Sequence, residues 1–277
     1  MTSRLVFFLV TAVAFPQEPP VLQFEVASVK PAAPDARGMV FQPGPGGGIR
    51  ITNMPLKEII LFAYRLQSFQ LAGGPPWVSS AHWDVIAKPE TKGEAGDNQR
   101  MLQALLAERF QLVIHRETKE LPVYALVLAR KDRKLGPGLV PGKVGGCSPP
   151  DPNKGPIIEP GKTPSLGCGQ TWLGPNQLRG VSAPIPNFLF FLSRMLGRTV
   201  IDKTGLTGNF DITADWTPDE TQATTPLPPT DTPRLPSGDV GPSIFTAFQE
   251  QLGIKLESQR GPVEIFVIDR AEKPSEN

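Results

Sequence analysis

The sequence predicts an α+β protein of two tandem related units, each a small mixed sheet with two helices in βαβαββ-like order, joined by a Gly/Pro-rich linker. Three observations carry that prediction. Segments of residues 21–130 recur, in the same order, in residues 179–277. The recurring segments switch between helix-like and strand-like apolar spacing. The stretch between them, residues 131–178, has Gly and Pro throughout and no sustained periodicity.

Phe24 to Val29 alternates as a strand and precedes the first recurring segment. Arg50-Ile51-Thr52-Asn53-Met54-Pro55-Leu56 then opens a helical stretch ending near Leu66, and Arg179-Gly180-Val181-Ser182-Ala183-Pro184-Ile185 opens another ending near Leu196. Leu56, Ile59, Ile60 and Ala63 match Ile185, Phe188, Leu189 and Leu192, the spacing of a helix with one buried face. Asn53 and Ser182 are the expected N-caps. Trp83 to Ala87 and Phe210 to Ala214 alternate as strands, and a second helix follows each, near Asn98 to Phe110 and Ser243 to Leu252. The separation between matched positions grows at that point, where the second unit carries the extra Pro/Thr-rich stretch Thr217 to Gly241. Insertions in loops are thermodynamically cheap. Phe110-Gln111-Leu112 with Pro122 to Val127, and Ile254-Lys255-Leu256 with Pro262 to Val267, supply the last two strands of each unit. They are expected to form hairpins across Arg116 to Leu121 and Ser258 to Gly261, and each unit to bury its helices on its own strands.

Residues 1–20 read as a signal peptide and short leader. Arg4 precedes the apolar run Leu5 to Phe15, too short to span a bilayer, and Ala12-Val13-Ala14 gives small residues for cleavage. The first unit then takes residues 21–130, the linker 131–178 and the second unit 179–277. The expected destination is the periplasm or the exterior, with no membrane span once the signal is removed. In that setting Cys147 and Cys168 are expected to pair, closing a loop worth about 3 kcal/mol in the chain-entropy description. Lys plus Arg is 28 against 27 for Asp plus Glu, which leaves no basic field for a nucleic acid.

The chain holds no recognisable catalytic, cofactor or metal motif. Its two histidines, His82 and His115, fall in different segments and read as strand residues. The glycines of Gly44-Pro45-Gly46-Gly47-Gly48 lead into a strand, whereas a phosphate cradle leads into a helix N-terminus. Asp84 and Asp211 occupy matching positions, which assigns both a structural hydrogen bond. Gly73-Gly74-Pro75-Pro76-Trp77 is the candidate binding feature, a stiff turn that presents an aromatic side chain.

Asn53 to Leu66, Gly73 to Val78, Arg100 to Arg130, Asp202 to Trp216 and Phe248 to Asn277 together resemble an uncharacterised family of soil-associated proteins abundant in acidobacteria. Some of its members are fused to, or encoded beside, sensor-type membrane peptidases, so the resemblance implies cell-envelope signalling. More distantly, Asn187 to Leu196, Thr199 to Gly208 and Gln251 to Asp269 are similar in pattern to the short N-terminal domain of secretins and TonB-dependent receptors, which implies a protein-docking module. The expected function is an exported, non-enzymatic binding or interaction module for a protein or peptide of the cell envelope. The alternative is an exported carboxylate-dependent hydrolase with a site between the two units.

Overall fold

A computed structural model describes residues 22–90, 97–142, 147, 165–174, 176–217 and 241–274. The expected export segment lies outside the described residues, as does nearly all of the Pro/Thr-rich stretch. The first half runs β1 (Phe24–Pro31), β2 (Val40–Pro43), β3 (Ile49–Pro55), α1 (Leu56–Tyr64), β4 (Leu71–Gly73), α2 (Trp77–Ser80), β5 (His82–Pro89), α3 (Asp97–Arg109) and β6 (Val113–Leu128). The second runs β7 (Leu139–Pro141), β8 (Gln170–Leu173), β9 (Gln177–Pro184), α4 (Ile185–Leu196), β10 (Val200–Asp202), β11 (Asn209–Asp215), α5 (Ile244–Ala247) with a π-helical turn Phe248–Leu252, and β12 (Ile254–Arg270). The class is α+β, and the described residues form three four-stranded sheets in the orders β1-β5-β3-β2, β10-β6-β12-β4 and β7-β11-β9-β8.

Helices α1 and α4 follow from their apolar stripes. Leu56, Ile59, Ile60 and Ala63 are buried on α1, and Ile185, Phe188 and Leu192 on α4. Both end in a left-handed residue, Arg65 at φ 53° and Gly197 at φ 62°. The expected N-caps are wrong. Pro55 and Pro184 occupy the cap positions in extended conformation and make no side-chain cap bond. The residue before a proline is driven out of the helical region, so the helix starts after it. Asn53 and Ser182 instead sit at left-handed positions, φ 51° and 44°, beside irregularities in the strand register. There the backbone N–H of Asn53 donates to Asp84 Oδ1 at 2.8 Å, and that of Ser182 to Asp211 Oδ1 at 2.7 Å. Each carboxylate thus holds a bulge at the foot of a helix. Asp84→Ala or Asp211→Ala is expected to lose about 1.5–3 kcal/mol by chemical denaturation, the range for a hydrogen bond to a charged group.

The expected hairpins do not form. β6 and β12 are single strands that pair antiparallel from Val113↔Arg270 to Leu128↔Ile254. Arg116 to Leu121 contains no Gly, Asn or Pro to reverse the chain, and Gly261 is buried within the ladder rather than in a turn. The stretch read as a linker also contributes structure: β7 and β8 are the edge strands of the third sheet. Cys147 and Cys168 are joined, with Cα atoms 5.4 Å apart.

The pairing in the central sheet crosses between halves. β10 of the second half lies parallel to β6 at Tyr124–Leu126, and β4 of the first lies parallel to β12 at Phe266–Ile268. The cores cross likewise. Leu126 is buried in the core built on Phe188, Phe210 and Phe248, with Tyr124 and Leu128 packed against it. Ile268 is buried in the core built on Ile59, Trp83 and Phe110, with Ala271 against it. Each long strand starts in its own half's core and ends in the other's, so the halves do not bury only their own elements.

Candidate functional site

The Gly73-to-Trp77 motif is built around β12. Gly73 and Gly74 have φ of 75° and 80°, and a Cβ on Gly73 would lie 2.9 Å from the Ile268 carbonyl oxygen. Only glycine supplies that conformation with so close a backbone approach. Pro75 and Pro76 then start α2, whose first residue is Trp77. Trp77 is half-buried, meets Trp83 edge-on at 6.4 Å between centroids, and carries Lys273 Nζ 5.9 Å over its ring. The motif therefore seals the edge of the first core and touches the C-terminal segment.

Lys273 also lines a concavity of about 330 Å³ with Val29, Glu108, Arg109, Gln111 and Glu272. This lies at the small end of ligand pockets. Two carboxylates and two cations in its wall offset one another, so it selects neither sign of charge. The Glu272 N–H donates to the Phe110 carbonyl at 2.7 Å, which ties the C-terminal segment to the end of α3. The motif and this concavity are neighbours through Lys273. The disulfide belongs elsewhere, with Cys168 leading into β8 on the third sheet.

A second cluster escaped sequence reasoning. His115 on β6 has Nδ1 2.8 and 2.9 Å from the two Asp269 carboxylate oxygens, and Nε2 3.1 Å from Glu117 Oε1. Lys119 Nζ is 2.7 Å from the other Glu117 oxygen. Asp269 is remote in sequence and reaches His115 only because β12 pairs with β6 along its whole length. The bonds to Asp269, then to Glu117, raise the imidazole pKa above its usual 6.5. The bonds from Lys119, then from His115, lower that of Glu117. A general base needs a nitrogen free to take a proton from substrate. Here both nitrogens face carboxylates, and the cluster favours a standing imidazolium. Among the described residues, no three His, Cys, Asp or Glu side chains are grouped to hold a metal ion.

The sign of the linkage is direct. A histidine pKa raised by folding gives stability that is complete below about 6.5 and lost as pH climbs through the folded value. His115 is expected to titrate above 6.5 in NMR spectra of the wild type, and its midpoint to fall in Asp269→Asn.

The third feature is backbone rather than side chain. The Tyr124 N–H donates to the Thr199 carbonyl and the Lys203 N–H to the Leu126 carbonyl, so even-numbered residues of β6 turn their polar groups away from β12. Backbone groups alternate sides along a strand. The groups of Ile114, Arg116, Thr118 and Glu120 therefore face outward, past the end of the short β10. On β12 the same holds for Leu256, Ser258 and Arg260, because β4 pairs only with Phe266–Ile268. Pro122 and Pro262, which lack an N–H, stand where that group would face outward, as strand prolines do at edges. Among the described residues, two strand edges are thus left open on the central sheet.

Among the described residues no helix is long and apolar enough to cross a membrane. No curated protein and no solved structure matches the chain. A family model does match, over residues 57–271, from α1 to just beyond β12 and so across both halves, and the chain belongs to the family of proteins of unknown function DUF3738.

Proposed function

We propose that this protein is an exported, non-enzymatic interaction module of the periplasm or exterior, made of two copies of one α/β unit, that docks an extended protein or peptide segment on an open edge of its central sheet. The observation that carries the proposal is the outward-facing backbone of β6 and β12, each of which, among the described residues, pairs with a strand on its outer side over three residues. Unpaired edges accept further strands, and main-chain hydrogen bonds supply the affinity. The likeness in pattern to the docking domain of secretins and TonB-dependent receptors points the same way.

Duplication is supported by features that repeat as pairs. Strand, helix, strand, strand, helix and long strand succeed one another in the second half, and in the first half the same order is broken only by the short α2 between β4 and β5. A left-handed residue bonded to an aspartate precedes α1 and α4 alike. Pro122 stands opposite Arg260 and Pro262 opposite Glu120, a register that maps onto itself when the halves are exchanged. Export is supported by the apolar run Leu5 to Phe15 and by the disulfide, since oxidised pairs persist mainly outside the cytosol.

A photo-crosslinking residue at Ser258, whose N–H faces outward, is expected to trap a cell-envelope polypeptide, and Ser258→Pro to abolish the capture without lowering the melting temperature. Turnover of a hydrolase substrate panel, abolished by a single carboxylate substitution, would overturn the proposal in favour of the hydrolase.

A further inference from the structure

The two open edges differ in charge order, and the difference assigns a partner to one of them. The outer edge of β6 reads Arg116-Glu117-Thr118-Lys119-Glu120, all extended and largely exposed. This order is self-complementary for antiparallel pairing. When a second β6 is laid against the first with Thr118 opposite Thr118, Arg116 faces Glu120 and Glu117 faces Lys119, and each contact occurs twice. Directly opposed strand residues of opposite charge stabilise a pair, and like charges disfavour it. The register also satisfies the backbone. Arg116, Thr118 and Glu120 are the residues whose N–H groups point away from β12, and in this register they meet one another as hydrogen-bonded pairs, with the Glu120 carbonyl accepting across the dyad as well as from Arg260 Nη2 of its own chain at 2.7 Å. Ile114 would meet Pro122, whose missing N–H ends the ladder and fixes its length.

The edge of β12 offers no such match. Its charged residues are Lys255, Glu257 and Arg260; setting Lys255 against Glu257 leaves Arg260 beyond the paired segment, and setting Glu257 against Arg260 places outward-facing residues opposite inward-facing ones, which breaks the ladder. Leu256 on that edge is also packed against the second core. Charges along an open strand usually prevent indiscriminate pairing. On β6 they block most partners and slip registers while favouring a second copy in one register.

We propose that the protein forms a twofold homodimer through the outer edges of two β6 strands, joining the central sheets of two copies into one and leaving the β12 edge for the envelope partner. The inference rests on the open-edge reading above, but its test reads self-association and is independent of partner capture. Charge pairs now made within one copy, Glu117 with Lys119 and Arg116 with Glu264, exchange partners across the dyad.

Sedimentation velocity of the purified full chain over a range of concentrations is expected to show a concentration-dependent dimer. Thr118→Pro removes an outward N–H that has no partner among the described residues, and is expected to weaken the dimer by about tenfold or more with the far-UV spectrum and melting temperature retained. Two charge variants serve should the proline disturb the strand. Arg116→Glu with Lys119→Glu, and Glu117→Lys with Glu120→Lys, are each expected to be monomeric, and their equimolar mixture to dimerise. A wild type that stays monomeric overturns the proposal. So does a dimer that survives Thr118→Pro, and so does a mixture of the two charge variants that stays monomeric while both are folded.

Discussion

Residues 1–130 expressed alone are expected not to hold a monomeric fold, and residues 131–277 to fail likewise, whereas the two segments produced together are expected to reassociate. In the separated first segment, all 16 residues of β6 lose the partner strand β12. Leu126, Tyr124 and Leu128 leave the core in which they are packed, and the first core loses Ile268. Each large apolar side chain returned to water costs about 1.5–3 kcal/mol. The buried Leu126 and Ile268, with smaller contributions from the partly buried Tyr124 and Leu128 and the ladder bonds, amount to much of the roughly 5–15 kcal/mol that holds a domain folded. Size-exclusion chromatography with circular dichroism is the check. Two independently monomeric segments, each melting cooperatively, would show that the crossed strands contribute little.

The same crossing explains which parts of the fold were legible in the sequence. Helices α1 and α4 were, because burial of one helix face requires apolar residues at fixed local spacing, and Leu56, Ile59, Ile60 and Ala63 lie within a few positions of one another. Strands β5 and β11 were legible through alternation, their odd or even members being buried in turn. The long strands were not. Arg116 to Glu120 is charged because it runs through solvent between two cores, and a charged interval between apolar strands resembles a turn. Only the opposite strand, far away in sequence, shows that it continues straight. β7 and β8 were missed because three or four residues carry too little periodicity, and their strand character comes from the neighbours β11 and β9.

The candidate site was legible to a similar degree. The Gly73-to-Trp77 turn was visible as chemistry but its packing was not, since the demand for glycine is set by Ile268 across the sheet. Asp84 and Asp211 were correctly read as structural, and the residues they bond are Asn53 and Ser182, which the sequence had pointed to as helix caps. In both halves proline at the cap displaces the polar residue two positions back, and that residue takes the left-handed bulge. The His115–Asp269 contact and the open edges follow from strand register, which no local signal specifies.

Phe110→Ala and Phe248→Ala test whether the two cores are one cooperative unit. Phe110 is fully buried and meets Trp83 edge-on at 5.1 Å between centroids. Phe248 is fully buried between Phe188 at 6.0 Å and Trp216 at 6.1 Å. Removing either ring leaves a cavity, and such changes cost about 3–5 kcal/mol. In a protein of this size each kilocalorie lowers the melting temperature by roughly 2–4 °C, so each variant is expected to lose on the order of 6–20 °C. The more telling readout is the shape of the calorimetric trace. β6 and β12 each enter both cores, and the Phe110 carbonyl is bound by Glu272 of the other half. Loosening one core therefore releases a strand end that the second core needs, and both variants are expected to shift one transition as a whole. Two transitions in the wild type, with Phe110→Ala moving one and Phe248→Ala the other, would mean that the shared ribbon does not couple the halves.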